Sequence, residues 1–206
     1  HLERLVTVLE RLRTAGLNLK SEKCCFFQKS VSFLGHIVSD RGNATDPEKT
    51  QAIMDWPAPR CVKEVRSFLG LASYYRRFVE KFAEVAAPLH ALVKKGQGFS
   101  WDGSAQQAFD KLKSALTSTP ILAMPTDDGE FILDTDASNS AIGAVLSQTQ
   151  GGVERVVAYA SRSLDRREMN YCVTRRELLA VVHFLRHFKQ YLLGRQFRVR
   201  TDHAAL

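Results

Sequence analysis

Apolar residues recur along the chain with two periods, and the change of period divides it. Leu2, Leu5, Val6, Leu9 and Leu12 fall three or four apart, with Glu3, Arg4, Glu10, Arg11 and Arg13 between them. That spacing predicts an amphipathic helix, and Gly16 is placed to end it. Residues 17–19 and 24–27 read as short strands around the polar run 20–23. Residues 31–38 read as a further strand, closed by a Ser39-Asp-Arg-Gly42 turn, the whole being a plain hairpin.

Helical spacing then takes over. Thr45-Asp-Pro-Glu-Lys49 joins a capping side chain to a proline in the first turn, which starts a short helix. The prolines of Trp56-Pro-Ala-Pro59 stop it. Val62, Val65, Phe68, Leu69 and Ala72 predict a second helix, running into Tyr74-Tyr-Arg-Arg-Phe78. A third helical stretch covers about 83–92, with Pro88 as a kink or boundary. Residues 94–98 read as a flexible connector. Ser104 and Gln107 fit a capping box that opens a helix through Leu116, with Ala105, Ala108, Phe109, Leu112 and Leu116 on its apolar side. Residues 119–125 are extended and proline-bounded, and the domain boundary is expected there.

Past the boundary the period becomes two. Residues 131–136, 141–148 and 154–161 predict three strands with tight links, an antiparallel meander turning at 150–152. A long amphipathic helix over 175–191 follows, with Leu178, Val181, Val182, Leu185, Phe188 and Leu192 on its buried side. After Gly194, residues 195–201 return as a strand. The order β-β-β-α-β describes a mixed sheet with a helix packed on it, and the chain is expected to be α+β.

Charge adds a partner class. A net charge of +7 over 206 residues favours a polyanion such as nucleic acid, with chance as the plain alternative. Cys24, Cys25, Cys61 and Cys172 form no C-x-x-C pair and lack zinc-finger histidines, so buried thiols in a reducing compartment are expected. No signal peptide and no bilayer-spanning apolar run is present, so no membrane partner is expected. The chain begins without Met inside an amphipathic pattern and ends just after a strand-like run, as expected of a piece of a longer polypeptide.

Three acids stand where regular elements begin or end. Asp136 closes the first strand of the second half, Glu177 lies in the first turns of the helix, and Asp202 closes the last strand. Phosphodiester hydrolysis by two metal ions needs a few carboxylates on rigid elements and no sulfur. The first and fourth strands of such a sheet can lie side by side and bring these acids together. Each acid alone also has an ordinary reading, as turn former or helix-dipole partner. Strand alternation puts Asp134 and Asp136 on one face, so parity leaves both open. In Tyr74-Tyr-Arg-Arg-Phe78, Tyr74 and Phe78 are expected to face the core, while Arg76 and Arg77 are placed for phosphate contact.

The motifs together resemble a gypsy-type LTR-retrotransposon reverse transcriptase. The F-L-G-H and D-P-E-K runs within 31–53 resemble the end of its palm and the start of its thumb. Residues 65–78 and 82–92, with A-A-P-L at 86–89, resemble the thumb, and 99–101, 109–116 and 120–122 the link. Residues 131–148, 158–164, 171–182 and 191–206 resemble its RNase H domain. The resemblance implies a palm-end hairpin over 1–45, thumb and link helices over 46–125, and an RNase H-like domain over 126–206 that stops short of the family's C-terminal elements. It makes the acids of T-D-A-S, T-x-x-E-L-L-A and T-D-H the metal ligands, here Asp136, Glu177 and Asp202, for two Mg²⁺ or Mn²⁺ ions, and leaves Asp134 outside. Phe33, Leu34, Gly35 and His36 fall at the primer-grip hairpin, and the helices over 62–78 are placed on the duplex minor groove.

The implied parent is an RNA-directed DNA polymerase and nucleotidyltransferase with RNase H endonuclease activity. Its partners are a primer-template duplex and an RNA–DNA hybrid, and its location a cytoplasmic particle or the nucleus. The polymerase Y-x-D-D motif, expected shortly before His1, is absent, as are a further acid and a mobile His beyond Leu206. The chain alone is therefore expected not to polymerise and to be a weak or dead nuclease. Asn43 departs from an apolar preference. Two non-catalytic alternatives are a connection-like module and a domesticated nucleic-acid-binding protein; retention of all three acids speaks against the first.

Overall fold

The computed structural model describes residues 2–94, 96, 98–204 and 206; Lys95 and Gln97 of the expected connector lie outside the described residues. The first helix, α1 (Leu2–Thr14), ends where Gly16 takes φ +69° and the Leu17 amide reaches back to Leu12 O at 2.9 Å. None of its residues is buried. The two short strands expected over 17–27 do not form; that segment holds one 3-10 turn, Ser21–Lys23. The Lys23 and Cys24 amides donate locally, to Lys20 O and Ser21 O, as in a tight turn and not in a strand ladder.

The strand expected over 31–38 is folded in half. Leu34 (φ +48°) and Gly35 (φ +73°) form a two-residue turn between β1 (Ser30–Phe33) and β2 (His36–Ser39), and β3 (Gly42–Thr45) completes a three-stranded meander. Such a turn needs left-handed backbone at both positions. A leucine does not announce that. Contacts from elsewhere hold it: the Tyr74 hydroxyl donates to Leu34 O, and the Tyr75 hydroxyl to Gly35 O at 2.9 Å.

The helical part follows the pattern with local corrections. In α2 (Pro47–Met54), Asp46 Oδ1 caps the Glu48 amide at 3.1 Å. Helix α3 (Val62–Tyr74) leads into a 3-10 turn, Arg76–Phe78. Because the chain tightens there to about three residues per turn, Tyr75 and Phe78 share the core. Tyr74, expected inside, is half exposed. Pro88 divides the next stretch into α4 (Phe82–Val85) and α5 (Ala87–Leu92). Helix α6 (Gly103–Thr117) is capped by Asp102, not by Ser104: Asp102 Oδ1 accepts from the Ala105 amide at 2.8 Å and from Ser104 Oγ at 2.8 Å. Its five expected apolar residues are all buried, and Phe109 packs on Phe68 with ring centroids 4.6 Å apart.

Leu122 belongs to this core and Ala123 to the next. Leu122 exchanges both backbone hydrogen bonds with Asn43, at 2.7 and 2.8 Å, and the Ala123 amide donates to Val156 O. The second sheet contains β4 (Phe131–Ala137), β5 (Ala141–Gln150), β6 (Val153–Ser163) and β7 (Phe197–Thr201), in the order β6-β5-β4-β7. Strands β4, β5 and β6 are antiparallel; β7 returns parallel beside β4. The molecule is α+β, with a mixed four-stranded sheet.

Helix α7 (Val173–His187) covers one face of this sheet, followed by the single turn α8 (Lys189–Leu192). Its buried residues are Arg176, Glu177, Ala180 and Phe184, whereas Leu178 and Val182 are exposed. The unbroken apolar run 178–182 leaves the helical phase open, and Ala180 turns inward because its small side chain lets the backbone approach the sheet. The helical unit docks on the other face through β6: the Arg76 guanidinium donates to Ser161 O, and the Ala83 amide to Ser161 Oγ at 2.8 Å. The four thiols are free, but not buried as expected: Cys25, Cys61 and Cys172 are exposed and Cys24 is half-buried. No helix among the described residues is long and apolar enough to cross a membrane.

Candidate metal centre and nucleic-acid interface

The parallel register of β4 and β7 pairs Thr135 with Thr201, so the next residue on each strand, Asp136 and Asp202, leaves the sheet at the same end. Glu177 arrives from the first turns of α7. One carboxylate oxygen from each of these residues lies within 4.8 Å of the other two. Glu177 is buried, Asp136 half-buried and Asp202 exposed, so the group opens to solvent on one side.

Three carboxylates this close together concentrate negative charge. Burial, then Asp202 and Asp136, push the Glu177 carboxyl above its usual range, against a backbone hydrogen bond from Ala137. Glu177 Oε2 is buried and has no hydrogen-bond partner. A buried carboxylate oxygen left bare beside two further carboxylates is costly. The donors are three hard oxygens on a strand, a helix and a strand end, with no sulfur, which suits Mg²⁺ or Mn²⁺. The residues present therefore fit a divalent ion.

Residues outside the sequence reading hold this group in place. Arg176 is buried, and its Nη1 donates to Asn139 Oδ1 at 2.7 Å and Ser138 O at 3.2 Å, pinning the start of α7 to the β4–β5 turn. Thr174 Oγ1 and His203 Nε2 lie 2.8 Å apart and join α7 to the segment after β7. Ser138 Oγ accepts from the Ala141 amide at 3.0 Å and closes the turn. Lys81 was also missed. It comes from the helical unit, and its Nζ lies 2.7 Å from Asp136 Oδ2. Adjacency to Glu177 was the one local signal for Arg176; nothing local points to Lys81.

The nucleic-acid candidates divide into exposed and enclosed groups. Phe33 and Leu34 are 61% and 70% exposed at the tip of the β1–β2 hairpin, and Gly35 completes the turn. His36 lies inward, its ring stacked on Tyr74 (5.4 Å, 12°) and Phe78 (5.5 Å, 25°) and edge-on to Tyr75. Burial and then Arg77 push the His36 pKa down, which favours the uncharged ring. Arg76 lies over Phe82 while it holds Ser161 O, and Arg77 lies against Phe78. Both arginines line a cleft of about 490 Å³ with Arg162, His183 and His187.

Residues 101–199 match the family described as "RNase H-like domain found in reverse transcriptase". Along its full length the chain is 41% identical to the retrovirus-related Pol polyprotein from transposon 297 and 42% identical to that from transposon gypsy, both of Drosophila melanogaster. It is 34% identical to the transposon Tf2-3 polyprotein of Schizosaccharomyces pombe. It spans 19%, 21% and 16% of these relatives, about a fifth of their length. Among solved structures, the foamy viral protease-reverse transcriptase in complex with RNA/DNA hybrid shares the fold. Its TM-score is 0.84 at 24% identity, over 100% of this chain and 28% of that one. Residues 101–199 thus belong to the RNase H-like domains found in reverse transcriptase, within a chain homologous throughout to gypsy-type retrotransposon Pol polyproteins.

Proposed function

We propose that this chain is part of a retrotransposon reverse transcriptase whose parent protein hydrolyses the RNA strand of RNA–DNA hybrids, as an endonuclease using two Mg²⁺ or Mn²⁺ ions at Asp136, Glu177 and Asp202, the chain alone being weak or inactive. The observation that carries this reading is the convergence of three carboxylates around a buried, partnerless Glu177 oxygen. Two divalent ions supply water activation and charge stabilisation on the leaving oxygen. Asp136 and Asp202 present oxygens at the open side, where a phosphodiester can approach. Glu177 anchors the inner side, and Arg176 keeps its helix turn against Asn139 so that the oxygens stay in place.

In the parent protein, an RNA-directed DNA polymerase and nucleotidyltransferase, the hairpin carrying Phe33, Leu34, Gly35 and His36 grips the primer end. Arg76 and Arg77 meet phosphates of the primer-template duplex. The foamy viral relative, solved in complex with RNA/DNA hybrid, supports a duplex partner. We place the parent in a cytoplasmic particle or the nucleus, testable by imaging a tagged parent. The direct test is cleavage of RNA in a hybrid by a polyprotein segment containing this chain. Cleavage that requires Mg²⁺ or Mn²⁺ and is lost in Asp136→Asn is expected; full cleavage by that variant excludes the site. One observation favours a second reading, a non-catalytic binding module: the Lys81 ammonium already sits on Asp136. Hybrid binding without cleavage at any metal concentration supports it.

A further inference from the structure

One row of residues crosses the second sheet on the face turned to the helical unit. Asp136 of β4 pairs with Gly143 of β5, and Gly143 pairs with Ser161 of β6. Each meets the segment 76–85. Ser161 O accepts from Arg76, and Ser161 Oγ accepts from the Ala83 amide. A β-carbon on Gly143 would make an ordinary contact with Lys81 Cγ, at 3.9 Å, so the lysine stem runs alongside β5 at this row. The stem ends with Nζ 2.7 Å from Asp136 Oδ2. Lys81 itself has left-handed backbone (φ +51°, ψ +31°), which a β-branched residue avoids and any non-glycine adopts at a cost. Its carbonyl accepts from the Glu84 and Val85 amides at 3.0 and 3.1 Å, which holds the turn that aims the side chain.

Both partners of the ion pair are close to half exposed, so the contact is weak and exchangeable. A divalent ion among Asp136, Glu177 and Asp202 would lie a few ångströms from the ammonium, and the two cations repel. We infer that Lys81 is a thumb-borne cation that competes with divalent metal for Asp136, so that seating of the segment 76–85 and metal loading of the carboxylate site oppose each other. This rests on the metal reading above. Linkage makes the effect reciprocal: metal loosens the seated segment, and the seated segment weakens metal binding by the same factor.

The experiment is Mn²⁺ titration of the 206-residue chain without nucleic acid, followed by paramagnetic broadening of the resonances of Asp136, Glu177 and Asp202. Lys81→Met keeps the stem and removes the charge. Its dissociation constant for Mn²⁺ is expected to fall roughly three- to tenfold; an unchanged or raised constant overturns the inference. In the unsubstituted chain the Ala83 amide, which holds Ser161 Oγ, is expected to exchange faster with solvent when Mn²⁺ is saturating. Equal protection with and without metal also overturns it, and this measurement does not depend on the variant folding. Asp136→Asn separates the two levels. If the unsubstituted chain shows no Mn²⁺ broadening that Asp136→Asn removes, the metal reading fails and the competition with it. If such broadening is present but indifferent to Lys81, only the competition fails.

Discussion

Arg200 of β7 closes on Asp134 of β4 through two parallel bonds, Nε to Oδ1 at 2.5 Å and Nη2 to Oδ2 at 2.7 Å. The parallel register sets these residues opposite one another, and Arg200 also reaches both oxygens of Glu154. Hydrogen bonds to Asp134 and then Glu154 push the guanidinium further toward its charged form. Asp134 therefore holds β4 and β7 together, while Asp136, two residues on, stands in the carboxylate cluster with Lys81 on one of its oxygens.

The two aspartates are expected to behave oppositely. Asp134→Asn should leave Mn²⁺ binding intact and, as the pair is partly exposed, cost about 0.5–1 kcal/mol of stability. Asp136→Asn should abolish binding with little loss of stability. Titration and denaturant unfolding of both variants check this; loss of binding in Asp134→Asn would reassign the ligand.

Glu177 carries a stability signature of its own. Its raised pKa means that the folded chain holds this proton more tightly than the unfolded one. Metal-free stability therefore falls as pH rises from the ordinary Glu value, about 4.3, through the raised value, and stays lower above it. Glu177→Gln removes that decline. The variant should melt higher than the unsubstituted chain at pH 7 without metal, show no such advantage at pH 4, and gain nothing from Mn²⁺. Equal melting at both pH values would contradict the cost assigned to the bare oxygen.

Glu168 has the opposite sign. Arg162 grips it through both nitrogens, at 2.9 and 3.0 Å, and the Asp165 amide adds a bond at 2.8 Å. The Arg162 hydrogen bond is the first cause of a lowered carboxyl pKa. The stabilisation is complete above the ordinary Glu range and is lost as pH falls through the lowered value. Glu168→Gln is expected to cost about 1–2 kcal/mol at pH 7, and the difference should close in acid. A gap that persists at pH 2 would mean that packing, not charge, is responsible.

Two glycines make a matched pair. Gly42 has φ +129°, and a β-carbon there would stand 2.2 Å from Leu122 O, at the bridge that joins the hairpin to the segment before the second sheet. Gly42→Ala should cost about 2 kcal/mol or more and expose the Asn43 and Leu122 amides to exchange. Gly70 lies inside α3 with open space around it. Gly70→Ala should stabilise by about 0.5–1 kcal/mol. Thermal unfolding of the two variants gives both signs in one experiment.

Residue order carries local information: where the period is 3.6 and where it is two, where proline and glycine interrupt, and which acids stand at element ends. That sufficed for the helices α1 to α6 and the β-β-β-α-β order, because each depends on neighbours a few residues away; between Asp134 and Asp136 only the family resemblance chose. Tertiary structure decided matters settled between residues far apart. Tyr74 and Tyr75 hold a left-handed Leu34–Gly35 turn that splits one expected strand into two. The apolar run 178–182 took its phase from the sheet surface, which drew Ala180 inward and left Leu178 exposed. Asp134 and Asp136 share a face and a local setting, and only the parallel arrival of β7 sets Arg200 against one of them. Lys81 reaches Asp136 across 55 positions of chain because two packed units meet along Ser161, Gly143 and Asp136. Periodicity encodes burial, but it does not encode which charged group a docked neighbour will deliver.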